Sequence, residues 1–409
     1  METIIDDILI QICNFLTDRE KIRLLSSCKQ TNAKKMIMMY NMPIKIMQII
    51  YLPYYHNFTN IILTKDIKYL ETEYFCGNTI QKNSLPKHIK KIEFDYDFIN
   101  IVPGIIPPGT THVTLSGIFN GDITGLIPFG VTHLTFGYRF DRTIKNNIPS
   151  SVTHLTFGES FDQDITDSIP NSVTHLIFGH CFNQDITDSI PNGVIHLVFG
   201  DKFNQNIKNV IPYGVKHLVL GHGLTYPISG NIPLSVTNLN LYVNDVTTLV
   251  PFSIPSSVTN LTIDSYDENG MMPIDVIPST VKYLQFGHEF NCRIENAIPI
   301  GITHITFCDN FNQNIKGCIP PSVTYLEFGE KFNRPIIDAI PHSVTHLIFG
   351  NMFNRSIQKS IPHGMLYLVL GDKFRCKIKN NIPSTVKHIR LGRASLNQSI
   401  DIPKTAIRM

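Results

Sequence analysis

The sequence lacks the features that identify most enzymes and nucleic-acid-binding proteins. Its 409 residues contain no nucleophile elbow, P-loop, HExxH or CxxC motif. The formal net charge is only +2, and no basic run is interleaved with aromatic residues, which argues against nucleic acid or an anionic membrane as the partner. We therefore expect no enzyme activity, no catalytic residue, no cofactor and no bound metal, and we expect another protein as the partner.

Paired cysteines and long apolar runs are also absent. The 8 cysteines have no recurring spacing, which is typical of reduced thiols in an intracellular protein. No uninterrupted run of about 18 apolar residues occurs, so no membrane span is expected. The N-terminus carries Asp6 and Asp7 and no basic segment before its first apolar stretch, which argues against a secretory signal. The sequence thus predicts a cytoplasmic protein.

An Ile-Pro dipeptide, in contrast, recurs along most of the chain. Fourteen intervals separate the recurring prolines from Pro86 to Pro383, and twelve of these intervals are 21 residues long. A period this regular is the signature of a solenoid, in which each repeat forms one coil. We number the unit 1 to 21 from the residue before the proline. The fifteen copies begin near residues 85, 106, 127, 148, 169, 190, 211, 232, 254, 277, 298, 319, 340, 361 and 382.

Apolar residues at fixed positions of the unit predict the core. Positions 5, 8 and 10, which are Val131, Leu134 and Phe136 in the third copy, follow the pattern of a leucine-rich-repeat strand. Positions 14 and 18 add Phe140 and Ile144 on the returning arm. Twenty of the 25 phenylalanines occupy positions 10 and 14, which predicts two stacked phenylalanine columns. The expected fold is a mainly β repeat solenoid of leucine-rich-repeat-like parallel strands with a small N-terminal α-helical module.

Two polar or small positions indicate the turns of each coil. Position 11 is mostly glycine, as at Gly137, and predicts a turn that needs either a positive φ or close backbone approach. Position 15 is commonly Asn or Asp, as at Asp141. Such a side chain can bond the backbone of its own turn and of the next coil, and we favour this structural ladder over a ligand-binding role.

The segment from position 14 to position 18 resembles a known repeat. It reads FNQDI at residues 182–186 and FNQNI at 311–315, and Ile-Pro follows. This pattern resembles the FNIP repeat, a subtype of leucine-rich repeat known mainly from social amoebae and giant amoebal viruses. The resemblance covers residues 85 to about 402 and implies a solenoid with a binding face and no catalytic chemistry. For a viral protein, it implies the cytoplasm of the host.

Position 7 holds a column of histidine and tyrosine, with asparagine at Asn238 and Asn260, that alternates with core positions 8 and 10. This alternation predicts that the column projects from the exposed face of the sheet. Three interpretations stay open: stacked neutral imidazoles that form a ladder with adjacent threonines, contacts with a target protein, or metal binding, for which regular spacing along a sheet is poorly suited. The predicted target-binding face consists of His112, His133, His154, His175, His196, His217, Tyr283, His304, Tyr325, His346, Tyr367 and His388.

Two further features leave alternatives. Position 9 varies from coil to coil, which is where specificity could reside, or where a solvated surface has drifted. The copies at residues 232–276 run 22 and then 23 residues and lack the phenylalanine pattern, which indicates degeneration, a partner-contact loop or a hinge. Asp164 and Asp185 lie one repeat apart, as in a β-helix hydrolase, but no second acidic column accompanies them.

The first 45 residues form a separate module, in which apolar residues recur at helical spacing. Thr17 and Glu20 make a capping-box signature, and a third helical stretch is predicted from Asn32 to Asn41. The string DDILIQICNFLTDREKIRLLSSCK, at residues 6–29, resembles an F-box, although it lacks the family's opening Leu-Pro. F-boxes dock on the Skp-type adaptor of cullin–RING ubiquitin ligases. The resemblance implies adaptor contacts by Ile4, Ile5, Ile8, Leu9, Ile12, Leu16, Leu24 and Leu25.

The predicted order of parts is a helical module at 1–45, an N-terminal cap at 46–84, the solenoid at 85–402 and a tail at 403–409. This order favours a substrate-recognition subunit of a cullin–RING ligase, in which the F-box binds the adaptor and the solenoid holds an unknown target protein. The alternative is a stand-alone binding or scaffold solenoid with no link to ubiquitin ligases.

Overall fold

The chain forms two compact units, one from Met1 to Val194 and one from Ile195 to Met409. The structure, a computed structural model, describes residue 9 and residues 11–27, 32–36, 38–49, 52, 54–64, 75–76, 79–80, 85, 88–99, 101–268, 270–393 and 407–408. Each unit is a parallel β-solenoid whose coils repeat every 21 residues, which confirms the predicted fold class.

Short parallel strands, one per coil, make the sheet of the first unit. His133 pairs with His154 and His154 pairs with His175, so neighbouring strands are in register one repeat apart. Two further strands join this sheet in parallel before the first predicted copy. The strands of the sheet are Ile44–Lys45, Asn60–Leu63, Lys91–Phe94, His112–Thr114, His133–Thr135, His154–Thr156 and His175–Ile177, and a separate antiparallel pair lies at Phe75–Cys76 and Thr79–Ile80.

The second unit repeats the same coil with one irregular stretch. Asn238 pairs with Asn260, and Asn260 pairs with Tyr283, so the register absorbs the longer copies without a break in the ladder. Ile407–Arg408, within the predicted tail, also pairs in parallel with the preceding strand. The strands are His196–Val198, His217–Leu220, Asn238–Val243, Asn260–Ser265, Tyr283–Phe286, His304–Thr306, Tyr325–Glu327, His346–Ile348, Tyr367–Leu370, His388–Leu391 and Ile407–Arg408.

In the regular coils, the two predicted phenylalanine columns form the aromatic part of the core. Phe136 and Phe157 stack with ring centroids 5.4 Å apart and planes 2° apart. Phe140 and Phe161 stack at 6.1 Å and 6°, and within one coil Phe136 lies 4.1 Å from Phe140. The rings are nearly parallel because an in-register coil repeats each side chain in the same orientation. Each such contact stabilises the stack by about 0.5–1.5 kcal/mol beyond burial.

Glycine at position 11 is required by close packing of coils, not by a positive φ. A Cβ atom on Gly158 would lie 1.9 Å from the carbonyl oxygen of Gly137, and one on Gly350 would lie 2.2 Å from that of Gly329. The left-handed backbone occurs instead at position 20, where Asn146 has φ 63° and Asp167 has φ 55°. Asn, Asp and Gly dominate that position because they adopt this conformation at low cost.

The Asn and Asp side chains at position 15 tie successive coils together. The Oδ1 atom of Asp141 accepts a hydrogen bond of 3.0 Å from the backbone N–H of Asp162, whose Oδ1 accepts one of 2.8 Å from that of Asn183. In the second unit, Asn291 accepts a 2.8 Å bond from the N–H of Asn312. This ladder satisfies backbone donors that the stacked coils would otherwise bury, and it confirms the structural interpretation.

The N-terminal region begins with helical residues 11–14 and the helix Asp18–Leu25. The predicted capping box is present, since the N–H of Thr17 donates to Glu20 at 2.8 Å and the N–H of Glu20 donates to Thr17 at 3.4 Å. Asp18 is buried and accepts a 2.6 Å bond from the N–H of Met42, and Lys21 lies 3.2 Å from Asp18. These bonds fasten the helix to the segment that enters the sheet.

The helical stretch predicted from Asn32 to Asn41 is correct only in its first part. Asn32 is helical and Ala33–Met36 form a 3₁₀ turn, but residues 38–41 are not helical, and Tyr40 forms a parallel β-bridge with Phe58. Tyr40 is fully buried, and its ring stacks 4.7 Å from that of Phe58. Burial of this aromatic pair outweighs the helical preference of the segment. Other 3₁₀ turns are Ile46–Gln48, Tyr55–Asn57 and Val246–Thr248.

Candidate functional site

The outward face of each strand presents the side chains of positions 7 and 9. His133 and Thr135 are half-buried, whereas Leu134 between them is 1% exposed. The same alternation recurs along each unit because successive side chains of a strand point to opposite faces. Position 7 therefore lies on the outer face of the sheet, and its role in target binding stays a prediction.

Four histidines of the first unit form a continuous stack on this face. The imidazole centroids of His112 and His133 are 4.0 Å apart, those of His133 and His154 are 4.0 Å apart, and those of His154 and His175 are 4.1 Å apart. The angles between successive planes are 11°, 13° and 11°. The predicted ladder of stacked imidazoles is thus confirmed in this unit, with Lys91 paired to His112 at its end.

The threonine before each histidine determines which ring nitrogen carries the proton. The hydroxyl of Thr132 donates a 3.1 Å bond to the carbonyl oxygen of Thr111, and its oxygen lies 2.9 Å from Nδ1 of His133. A hydroxyl has one hydrogen, so both contacts are hydrogen bonds only if Nδ1–H is the donor to the threonine oxygen. Thr153 and His154 repeat the arrangement. The imidazoles consequently leave Nε2 as an acceptor.

Burial and neighbouring cations keep this stack neutral. Burial lowers the pKa values of His112, His133 and His154 below the ordinary histidine value. The positive charge of Lys91 lowers the pKa values of His112 and His133 further, as would protonation of other rings of the stack, His154 for His112 and both His112 and His175 for His133. Because each added proton would face another ring one coil away, protonation of the stack is unfavourable.

The corresponding column of the second unit is mixed and less regular. His196 and His217 are 5.6 Å apart and tilted by 32°. Histidine and tyrosine then alternate, with centroids 4.7 Å apart for Tyr283 and His304 and 5.5 Å apart for His304 and Tyr325. Burial and a 2.7 Å hydrogen bond to Glu327 raise the pKa of Tyr325 to about 12. The remaining members of this column are His346, Tyr367 and His388.

A groove of about 400 Å³ opens on the same face where the two longer copies occur. Carboxamides occupy two successive outward positions of one strand, Asn238 and Asn240, and Gln285 lies on the same groove. Tyr283, which is 51% exposed, stands at its edge. The side chains that line it include Asn238, Asn240, Asn260, Thr262, Tyr283, Gln285, His304, Thr306 and Tyr325. The sequence signal for this groove is the pair of carboxamides at positions 7 and 9 of one strand, which patterns at single positions do not reveal.

Comparison with protein families decides what kind of repeat builds this face. The family described as FNIP Repeat matches residues 77–117, 119–158, 140–181, 182–223, 269–310, 311–352 and 353–394, which together exceed half of the chain. The protein belongs to the FNIP-repeat family. The gap in the matches, at residues 224–268, falls on the irregular copies.

Among solved structures, the FNIP-repeat protein is similar to CroV588, which is described as a circular leucine-rich-repeat protein. The two share 27% sequence identity with a TM-score of 0.52, and the match covers 87% of this chain and 65% of CroV588. The chain thus spans slightly less than two thirds of that protein. This similarity supports the leucine-rich-repeat-like fold.

Weaker similarity links the FNIP-repeat protein to YopM from Yersinia enterocolitica and LegL7 from Legionella pneumophila. YopM is 12% identical with a TM-score of 0.37, and the match covers 80% of this chain and 78% of YopM. LegL7, a leucine-rich-repeat-containing protein, is 15% identical with a TM-score of 0.32, and the match covers 58% of this chain and 90% of LegL7. No curated protein matches the sequence.

The predicted adaptor-binding residues of the FNIP-repeat protein differ in exposure. Ile4, Ile5 and Ile8 lie outside the described residues. Ile12 is 47% exposed, and Leu9, Leu16 and Leu24 are half-buried. Leu25 is fully buried among the chain's own residues, which gives it a packing role. The structure adds Phe15, which is 91% exposed and was not among the predicted contacts.

The carboxylates of Asp164 and Asp185 accept hydrogen bonds within their own turns. Each accepts a 2.9 Å hydrogen bond from the backbone N–H two residues ahead, of Thr166 and Thr187 respectively. Hydrogen bonds from these threonines lower the pKa values of both carboxyl groups. An acid–base pair at neutral pH would need one raised pKa, so this arrangement does not fit such a pair.

In the described part of the chain, no helix is long and apolar enough to cross a membrane. Within the same residues, no group of three or more His, Cys, Asp and Glu side chains is placed to hold a metal ion. The thiols of Cys13, Cys181, Cys292, Cys308, Cys318 and Cys376 are free.

Proposed function

We propose that this FNIP-repeat protein binds another protein through the outward strand face of its solenoid. The observation that carries the proposal is the groove at Tyr283, where an exposed aromatic ring stands beside carboxamides from neighbouring coils. Tyrosine is enriched among the residues that dominate binding energy, and carboxamides can both donate to and accept from a partner's backbone. A leucine-rich-repeat-like solenoid is a fold typically used for protein binding.

The face also carries few charges near this groove, so recognition would depend on shape and hydrogen bonding. Asn238 and Asn260 each use Oδ1 to accept from the preceding threonine hydroxyl, at 3.0 and 3.1 Å. These internal bonds hold the carboxamides in place and direct their NH₂ groups away from the threonines. A rigid, pre-positioned polar surface loses less conformational entropy when a partner binds.

The test is affinity capture with the full chain, followed by binding measurements on each purified partner. The double variant Tyr283→Ala/Gln285→Ala should lose the partner or bind it at least ten-fold more weakly. Tyr213→Ala is the matched control, because Tyr213 is 83% exposed and lies at position 3, off the strand face. If the control weakens binding as much as the double variant does, or neither weakens it, the strand face is not the binding surface.

We further propose that the N-terminal module docks on a Skp-type adaptor and makes the protein a substrate-recognition subunit of a cullin–RING ubiquitin ligase. The exposed Ile12, on the first helical segment, and Phe15, in the turn that follows it, support this, because such neighbouring apolar side chains suit burial by a partner. The bonds of Asp18 would couple the docked module to the sheet. The proposal requires a compartment with the ubiquitin machinery, the cytoplasm, of the host cell if the protein is viral.

Direct binding to a purified Skp-type adaptor tests the ligase proposal. Ile12→Asp should abolish adaptor binding and leave target binding unchanged, and Leu9→Asp should act in the same way. Ile337→Asp is the control, since this repeat isoleucine is also exposed, at 54%. Failure of the intact chain to bind the adaptor would overturn the proposal. The alternative, a stand-alone scaffold, predicts captured targets without adaptor or cullin.

A further inference from the structure

A second opening in the second unit lies where the phenylalanine column is interrupted. Position 14, which holds a fully buried phenylalanine in coils such as that of Phe203, holds Leu224 in the next coil, and Leu224 is only half-buried. The following coil has no aromatic residue there and turns Val246 inward. The missing rings leave a pocket of about 250 Å³, lined in part by Leu220, Leu224, Ile228, Leu241, Leu249 and Ser253.

Ser253 is the one feature of the lining that packing does not explain. Its residue is 2% exposed, and its hydroxyl oxygen is buried without a hydrogen-bond partner among the described residues. The serines that precede the Ile-Pro dipeptide in other coils donate to a backbone carbonyl, as Ser168 does to Thr166 and Ser189 does to Thr187, both at 3.0 Å. Ser253 occupies the equivalent position before Ile-Pro, but its hydroxyl makes no such bond and lines the pocket.

The size, polarity and rim of the pocket limit what can occupy it. An apolar cavity of roughly 150 Å³ is enough to hold benzene, so about 250 Å³ accommodates a substituted ring. At the rim, hydrogen bonds from Thr247 lower the pKa of Asp245, so its charge disfavours an anionic occupant. A buried, unpaired hydroxyl favours an occupant with one hydrogen-bonding group.

We propose that this pocket binds a small neutral aromatic molecule that carries one hydroxyl group. Its ring takes the place of the phenylalanine rings that the other coils supply, and its hydroxyl pairs with that of Ser253. Tyr226 and Val250, which are 44% and 49% exposed, flank the opening. This site is separate from the groove at Tyr283 and does not depend on the proposed protein-binding function.

The probes are p-cresol, which has the hydroxyl, and toluene, which lacks it, titrated into the full chain by calorimetry and ligand-observed NMR. We expect saturable binding of p-cresol at one site per chain. Leu224→Phe restores the residue of the other coils, fills the pocket and should abolish binding of both probes. Leu234→Phe is the matched control, because Leu234 is 69% exposed, lies outside the pocket and should leave binding unchanged.

A second variant tests the hydroxyl and does not depend on whether Leu224→Phe folds. Ser253→Ala should weaken p-cresol binding about five-fold, the loss of one neutral hydrogen bond, and leave toluene binding unchanged. The proposal is overturned if p-cresol does not saturate, if folded Leu224→Phe binds like the native chain, or if Ser253→Ala weakens both probes equally.

Discussion

At the residue scale, each position of the repeat has a physical reason for its residue type. Glycine at position 11 is set by the carbonyl of the previous coil, and Asn or Asp at position 20 is set by the left-handed backbone. Exceptions to these rules are therefore places of strain. Phe252 is such an exception, since it has φ 60° in the irregular coil.

Phe252→Asn should stabilise the protein. Phenylalanine in the left-handed region is disfavoured by about 1 kcal/mol relative to Asn, and the ring is 79% exposed, so little packing is lost. Chemical denaturation of the second unit should show the gain. Phe129→Asn, in which the ring is 78% exposed but the residue has no positive φ, should leave stability unchanged. Equal effects of the two changes would contradict the strain argument.

Gly350→Ala should destabilise the protein by about 2–3 kcal/mol. The new methyl group would lie 2.2 Å from the carbonyl oxygen of Gly329, so neighbouring coils must separate. Gly364→Ala is the control, because its methyl group would lie 3.4 Å from the nearest atom, an ordinary contact. Thermal unfolding of both variants measures the difference. A Gly350→Ala midpoint equal to that of the control would show that the coils separate at no cost in stability, which would contradict the packing argument.

At the element scale, hydrogen bonds that repeat from coil to coil form two ladders. The position 15 ladder satisfies backbone donors between coils, and the Thr–His ladder sets the tautomer of each imidazole. The histidine stack was foreseeable from spacing alone, because a strict repeat places equal side chains one coil apart. The tautomer was not, because it depends on which acceptor the threonine hydroxyl reaches.

Stability of the first unit should fall as pH drops from 7.5 to 5.5. The pKa values of His112, His133 and His154 are lowered on folding, so the unfolded chain binds more protons below about pH 6.5. The stability that these neutral histidines contribute is fully present above the pKa of the unfolded chain, about 6.5. It is lost as the pH falls from there toward the lower pKa values of the folded state. Urea unfolding at the two pH values measures the loss.

The control replaces all three histidines by asparagine, which the repeat itself uses at position 7 in Asn238 and Asn260. This variant should show a smaller drop between the two pH values than the native chain. An unchanged native midpoint, or the same drop in both proteins, would mean that the stack does not govern the pH response.

At the scale of the whole molecule, each coil contacts chiefly its neighbours, so repeats act as exchangeable units within the second unit. Deletion of residues 319–339, one complete copy, joins Cys318 to Ile340 in the correct phase. The result should be a folded protein with a lower thermal midpoint, because only one set of interfaces is lost. Circular dichroism and limited proteolysis measure this.

Deletion of residues 319–329 is the out-of-phase control. It removes the strand of that copy, Tyr325–Glu327, but keeps Phe332 and the returning arm, so the phenylalanine columns fall out of register. This variant should lose its proteolytic resistance. Equal resistance of the two deletions would contradict the proposal that phase, and not chain length, holds the coils together.

The repeat makes much of this fold predictable. Residues such as Val131, Leu134 and Phe136 recur at fixed spacing, so their burial follows from the period, and Thr17 with Glu20 marks a helix start through purely local bonds. The prediction of the third helix failed in its later part because Tyr40 is buried against Phe58, a residue distant in sequence that a local pattern cannot anticipate. The ligase proposal rests on sequence resemblance and on the exposed Ile12 and Phe15, which lie outside the repeat.

The sequence by itself determined the period, the core columns and the outward face, because stacking translates one-dimensional regularity directly into three dimensions. Tertiary structure alone decided what happens where the regularity lapses. The carboxamide groove and the pocket at Ser253 exist because irregular coils lie beside coils with unequal side chains, and no spacing rule states which cavity these side chains leave. Sites in this protein thus arise at the departures from the repeat.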